Sequence, residues 1–327
     1  MSGSAEPVGA TGREEKPVAA ARRRTPWYWR APRFLLRLIV VAFLLIVGCN
    51  TMSTALVDRV DRNVERDENG IMSGAADRTL GSPDSPNAVL FVHGYAGGTD
   101  NFNRLPQQLA DAGWFVRVIR LPGHGTTPRD MEKIKADELI QAVRAESQKL
   151  NQTHQRVVLV GHSMGGAIST IVAAEGNIDA LILGGAYFGI TDRWYYGFSA
   201  ETWTRFSSRL LRWVYKGDLF LQVNDKSAKR YITSYTWLPT KSGIMLMDIG
   251  NRAKAPELLA KITCPVLMLH SHGDIAAAPE AAEASFAAMA SANKKLIWLD
   301  RSNHHVFWDF DHETLEAETL RFLTSIP

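Results

Sequence analysis

Apolar and polar positions keep a regular alternation of periods from Asn87 onward in this 327-residue chain. Ala88-Val89-Leu90-Phe91-Val92 is a continuous apolar run of strand length, and helical spacing follows from about Asn103 to Ala112. Trp114 to Ile119 reads as a second strand, Glu132 to Leu150 as a helix, Val157-Val158-Leu159-Val160 as a third strand. A helix over Gly166 to Ala174 and the run Leu181-Ile182-Leu183-Gly184-Gly185 continue the series. Short apolar runs alternating with longer amphipathic ones predict an α/β fold, a mostly parallel sheet covered by helices on both faces. On such a sheet the loops at the C-terminal ends of the strands form the site.

The alternation stops near Tyr187 and resumes at Pro265-Val266-Leu267-Met268-Leu269. A gap of about 70 residues is too long for a plain connection, which predicts an inserted cap over about 187–258. The insert is rich in aromatic residues, among them Trp194, Tyr195, Tyr196, Phe198, Trp203, Phe206, Trp213, Tyr215, Phe220, Tyr231, Tyr235 and Trp237. Most are expected to pack the cap onto the sheet domain, and an aromatic roof over a cavity suits an acyl chain. A helix near Ala278 to Ala290, a strand Lys295 to Leu299 and a helix from about Asp311 to Thr324 complete the predicted domain, 87–327.

Before Asn87 the pattern is different. Residues 1–21 lack apolar periodicity and are expected to be disordered. Basic residues Arg22-Arg23-Arg24, Arg30, Arg33 and Arg37 then precede an apolar run from Leu38 to Cys49. That layout belongs to a secretory signal, and the run is shorter than the ~20 residues of a spanning helix. It ends in Ile46-Val47-Gly48-Cys49, which resembles the lipobox at which bacterial lipoprotein precursors are cut and lipidated, here at Cys49. The alternative is an uncleaved signal anchor over Phe34 to Met52. Either attaches the chain through its N-terminal segment to a membrane of the cell envelope, with the folded part on the non-cytoplasmic side. Residues 50–86 are polar and predict a tether and an edge hairpin.

Charge sharpens this division. Residues 1–48 hold eight Lys/Arg against three Glu, leaving 29 basic against 31 acidic residues elsewhere. The folded part therefore carries no basic surplus, which excludes it from the usual nucleic-acid binders. Two cysteines, Cys49 and Cys264, exclude a disulfide framework and a cysteine-based metal site.

The candidate chemistry sits where an apolar strand ends on Gly161-His162-Ser163-Met164-Gly165 and a helix begins. Gly-x-Ser-x-Gly in that context is the strand-turn-helix elbow that lifts a serine oxygen out of the sheet edge, so Ser163 is the candidate nucleophile. A serine hydroxyl needs a base, and the base needs an acid to hold its tautomer. Asp274 follows the strand at 266–269, and Ser302-Asn303-His304-His305 follows the strand at 295–299, in the chain order Ser, Asp, His expected on this fold. His304 is the candidate base with His305 as its alternative, whereas Asp300 and Asp309 are expected to be solvated or capping residues. The N–H groups of Met164, and of Tyr95 in His93-Gly94-Tyr95-Ala96-Gly97-Gly98, are the candidate oxyanion donors. No metal or other cofactor is implied, because neither clustered Cys/His ligands nor a phosphate loop is present.

From about Asn87 to the C-terminus, His93-Gly94-Tyr95, Leu121-Pro122-Gly123-His124-Gly125, the serine elbow, the segment His270 to Asp274 and Ser302-Asn303-His304 together resemble an α/β-hydrolase. The resemblance is to the monoacylglycerol lipase, lysophospholipase and carboxylesterase group, often labelled serine aminopeptidase-like. It implies hydrolysis of a small-molecule carboxylic ester, with substrate choice set by the cap. Ser271 departs from the group, which usually has Gly there. Two other readings follow from the fold. An aminopeptidase or carbon–carbon bond hydrolase is one, with Glu201 the candidate partner for a substrate amino group; a non-catalytic binding protein is the other.

Overall fold

The computed structural model describes residues 1–3, 27–192, 197–217 and 221–326. The disorder expected over most of residues 1–21 and the rings of Trp194, Tyr195, Tyr196 and Phe220 lie outside the described residues. The chain divides into two units, Met1–Val47 and Gly48–Pro327.

In the first unit the described helical residues belong to α1 (Trp27–Asp61), which runs on into the second. From Pro32 onward α1 is long and apolar enough to cross a membrane by length and composition. The run counted from Leu38 was too short because Phe34, Leu35 and Leu36 precede Arg37 on the same helix, and all three are exposed.

In the second unit, the strands are β1 (Arg78–Leu80), β2 (Asn87–Val92), β3 (Phe115–Ile119), β4 (Arg156–His162), β5 (Ala180–Gly184), β6 (Trp213–Tyr215), β7 (Trp237–Pro239), β8 (Val266–Ser271) and β9 (Lys294–Leu299). Its further helices are α2 (Leu105–Asp111), α3 (Pro128–Lys133), α4 (Ala136–Thr153), α5 (Met164–Ala173), α6 (Ala200–Leu210), α7 (Thr240–Ala253), α8 (Pro256–Leu259), α9 (Pro279–Ala288) and α10 (His312–Ser325). Seven strands form one sheet in the order β1-β3-β2-β4-β5-β8-β9. β1 alone is antiparallel to its neighbour in that sheet.

The central strands are apolar throughout because both faces are covered. Along β2, Ala88, Leu90 and Val92 enter the core shared with α4, α5 and α7, while Val89 and Phe91 enter the core shared with α2 and α10. This is the α/β-hydrolase fold.

Four expectations are corrected. Residues 50–61 are not a tether but the end of α1, and β1 is an edge strand paired antiparallel with β3. The single helix predicted from Glu132 to Leu150 is two, because Ile134 and Lys135 are extended and Ile134 packs against Gly123. The cap ends earlier than 258: α7 buries Met245, Ile249 and Ala253 in the same core as the sheet, so the helical periodicity of 240–253 belongs to the sheet's cover. Of the insert's described rings, Tyr187, Phe188, Trp213 and Tyr235 are buried and Trp237 is half-buried, while Phe198, Trp203, Phe206, Tyr215 and Tyr231 are exposed, so about half of them pack inward rather than most.

Candidate active site

β4 ends at His162 and α5 begins at Met164, leaving Ser163 alone to make the turn, with φ 53° and ψ −121°. A non-glycine residue at positive φ is strained and needs surroundings that over-determine it. Here Ser163 N–H donates to the Gly184 carbonyl at 3.2 Å, and the Ser163 carbonyl accepts from Tyr187 N–H at 3.0 Å. The flanking glycines are required by space: a Cβ on Gly161 would lie 2.5 Å from Gly166 Cα, and one on Gly165 would lie 1.9 Å from the Val92 carbonyl oxygen.

The elbow meets the loop after β9. Ser163 Oγ lies 2.8 Å from His304 Nε2, and His304 Nδ1 lies 2.8 Å from Asp274 Oδ2. Asp274 Oδ1 accepts from the N–H groups of Ala276 and Ala277, each at 2.8 Å, which fixes the carboxylate. Burial works to raise the pKa of Asp274, but the charge and hydrogen bond of His304, His270 and the Ala276 N–H outweigh it and hold the carboxyl below its ordinary value. Ser163, His304 and Asp274 are all buried.

The adjacent His305 is also buried, and its Nδ1 has no partner among the described residues. Burial, followed by the neighbouring His162, His304 and Lys216, lowers its pKa well below the ordinary value. Thus the geometry brings His304, and not His305, to Ser163.

On the other side of the elbow lies the loop after β2. A Cβ on Gly94 would meet His162 Nδ1 and Ser163 Cβ, both at 3.0 Å, so this loop rests directly against the serine. His93 anchors it: Nε2 accepts from Leu121 N–H at 3.0 Å, and Nδ1 donates to the Gly94 carbonyl at 2.9 Å. Tyr95 N–H has no acceptor among the described residues. Met164 opens α5, where a backbone N–H has no intrahelical acceptor. Both N–H groups thus belong to the segments flanking Ser163 and are available to a developing oxyanion.

Sequence reasoning missed three supports. His162 Nε2 donates to the His304 carbonyl at 3.1 Å, and Asn101 Oδ1 accepts from Gly94 N–H at 3.3 Å. Asp309, expected to be solvated or capping, is fully buried and accepts from the backbone N–H groups of Asn224, Asp225, Asn303 and Phe310 at 2.7–2.9 Å. It ties Asn224 and Asp225 to the histidine loop, which sequence proximity to His304 did not reveal. Ser271, the departure from the family pattern, donates to the Ser302 carbonyl and accepts from Gly273 N–H at 3.0 Å, joining the acid loop to the histidine loop. Asp300 is exposed beside His272, as expected.

A cavity of about 330 Å³ opens over Ser163. Tyr95, Tyr187, Ile190, Val214, Leu238 and Leu246 give it a mainly apolar wall. Glu201 is not among its lining residues; it pairs with Arg205 one helical turn along α6. Among the described residues no group of His, Cys, Asp and Glu is arranged to hold a metal.

The profile of the family described as serine aminopeptidase, S33, matches residues 83–311. A thermostable monoacylglycerol lipase of Bacillus sp. (strain H-257) is 27% identical over 261 residues, spanning 77% of this chain and 95% of the relative. A solved structure from work on LipS and LipT, two metagenome-derived lipolytic enzymes, is 25% identical, with TM-score 0.69 and coverage of 78% of this chain and 99% of that one. The monoacylglycerol lipase of Paleococcus ferrophilus shares the fold at 20% identity and TM-score 0.65, covering 77% and 98% of the two chains.

Proposed function

The chain belongs to the serine aminopeptidase S33 family of α/β-hydrolases, and from that premise we propose that it is a serine hydrolase of lipid-like or other apolar carboxylic esters. One observation carries the reading: the unbroken chain Ser163 Oγ to His304 Nε2 and His304 Nδ1 to Asp274 Oδ2, each link 2.8 Å.

In this reading Ser163 Oγ attacks the ester carbonyl carbon while His304 Nε2 takes its proton. Asp274 holds the other ring nitrogen as N–H and stabilises the imidazolium that forms. The carbonyl oxygen becomes an oxyanion held by the N–H groups of Tyr95 and Met164. Collapse breaks the ester bond, His304 returns its proton to the leaving alcohol, and an acyl-serine remains. Water, deprotonated by His304, then releases the acid and restores Ser163.

The apolar cavity and the lipase relatives favour an acyl ester over a peptide amino terminus, for which Glu201 stands in the wrong place. Membrane attachment through the residues before Asn50, by lipid on Cys49 or by an uncleaved anchor, would keep such an enzyme at its substrates.

Ser163→Ala is expected to lose both labelling by a fluorophosphonate probe and ester turnover, the latter by several orders of magnitude on a panel graded by acyl length. Retention of more than about a tenth of the wild-type rate would remove Ser163 from the reaction.

A further inference from the structure

The wall of the Ser163 cavity includes a cation that the ester chemistry above does not use. Lys216 follows β6 in the two-stranded β6–β7 hairpin, and its N–H donates to the Thr236 carbonyl at 2.8 Å, so the backbone carrying it is held. Among the described residues its ammonium donates to one partner, the neutral Ser234 Oγ at 2.8 Å. No carboxylate among the described residues forms an ion pair with it. Lys216 also bears on His305, where it adds to burial in disfavouring a proton on that ring. Burial lowers the Lys216 pKa to about 8, which leaves the ammonium charged near neutral pH.

A half-buried lysine without a counter-ion is uncommon, because the charge gives up hydration and receives no opposite charge in return. An ammonium has three donors, and Ser234 uses one. Lys216 is one of the residues lining a cavity whose other described walls are mainly apolar. An apolar acyl chain has no use for such a group, whereas an anionic oxygen group would satisfy its charge and its donors together.

We propose that Lys216 is the receptor for an anionic oxygen group, phosphate or carboxylate, carried by the ester hydrolysed at Ser163. The inference rests on reading the site as an ester hydrolase and narrows its substrate class. Lys216 is then a specificity-determining residue, not a catalytic one.

The test compares three esters with the same eight-carbon acyl chain: the neutral monoacylglycerol, the matching lysophosphatidic acid, and the monoacylglycerol bearing a succinate on its far hydroxyl. In Lys216→Met the ratio of kcat/KM for an anionic ester to that for the neutral ester should fall roughly 10–100-fold, the worth of a charge-assisted hydrogen bond. The loss should appear in KM, and Lys216→Arg should recover most of it. Whichever anionic ester shows the loss names the group, phosphate or carboxylate. A ratio unchanged in Lys216→Met for both anionic esters overturns the inference.

If the wild type cleaves none of the three esters, the ester reading fails first. Binding by Ser163→Ala, followed through tryptophan fluorescence, then judges Lys216 separately. Lys216→Met in that background should weaken octanoyl lysophosphatidic acid or the succinate ester by tenfold or more relative to the neutral ester. Equal affinities with and without the substitution would overturn it.

Discussion

Asp309 shows how much one side chain can carry without touching a reacting atom. Four backbone N–H groups from three segments converge on one buried carboxylate. An asparagine there keeps one acceptor oxygen and turns an N–H₂ group toward those donors, leaving buried groups unsatisfied. Asp309→Asn is therefore expected to lower the unfolding free energy by about 2–4 kcal/mol in urea titration, against under about 0.5 kcal/mol for exposed Asp300→Asn. Equal losses for the two would mean that Asp309 does not hold the loops. Ser271 is the milder case: the family's usual glycine at this position leaves the backbone free, whereas here a hydroxyl joins the acid and histidine loops.

Among the elements, α1 extends from a stretch long and apolar enough to cross a membrane to its end at Asp61. Its last turns grip the catalytic unit: Asn50 Nδ2 donates to the Leu210 carbonyl at 2.8 Å and Oδ1 accepts from Arg212 N–H at 2.7 Å. Trp213 Nε1 donates to Thr54 Oγ1 at 3.0 Å, and Arg129 makes a two-pronged ion pair with Asp58 at 2.7–2.8 Å. All these contacts lie after Cys49, which is exposed. Cleavage before Cys49 would leave every one of them intact. Intact-mass analysis of the membrane-extracted protein is therefore expected to show a chain beginning at Cys49 and carrying lipid. A chain retaining Arg22 to Gly48 would make α1 an uncleaved anchor instead.

At the scale of the whole molecule, pH acts through histidines that the fold keeps neutral. Burial, with smaller effects from neighbouring cations, lowers His93 to about 3, His124 to about 4 and His162 to about 3, and drives His305 in the same direction. Above pH 6.5 these groups are neutral folded or unfolded and make no difference. Below it the unfolded chain takes up protons that the native protein refuses, so stability falls as pH drops toward 4. Asp100 opposes them: burial raises it to about 6, so the native state holds one proton more than the unfolded chain over much of that window. Asp274, lowered, loses its contribution only below about pH 4, the ordinary carboxylate range. The histidines outnumber Asp100, and urea titrations from pH 6.5 to 4 should show stability falling with a slope of at least about two protons. A flat profile would mean that these rings are hydrated and protonated in the native protein.

Much of this was legible from the residues in order, since local pattern is what periodicity and glycine spacing report. The apolar runs of β2, β4 and β8 and the glycines around Ser163 state a strand, a sharp turn and a helix wherever they occur. The sequence named His304 but left His305 as its alternative, and the burial of Asp309, the break at Ile134 and the place of Lys216 in the cavity wall were not legible. Each depends on which surface a side chain meets across the fold, and neighbours such as Gly123, Asn224 and Ser234 lie from about ten to some eighty positions away in the chain. Adjacent histidines have the same local sequence, and only the path of the loop between β9 and α10 turns one of them toward Ser163.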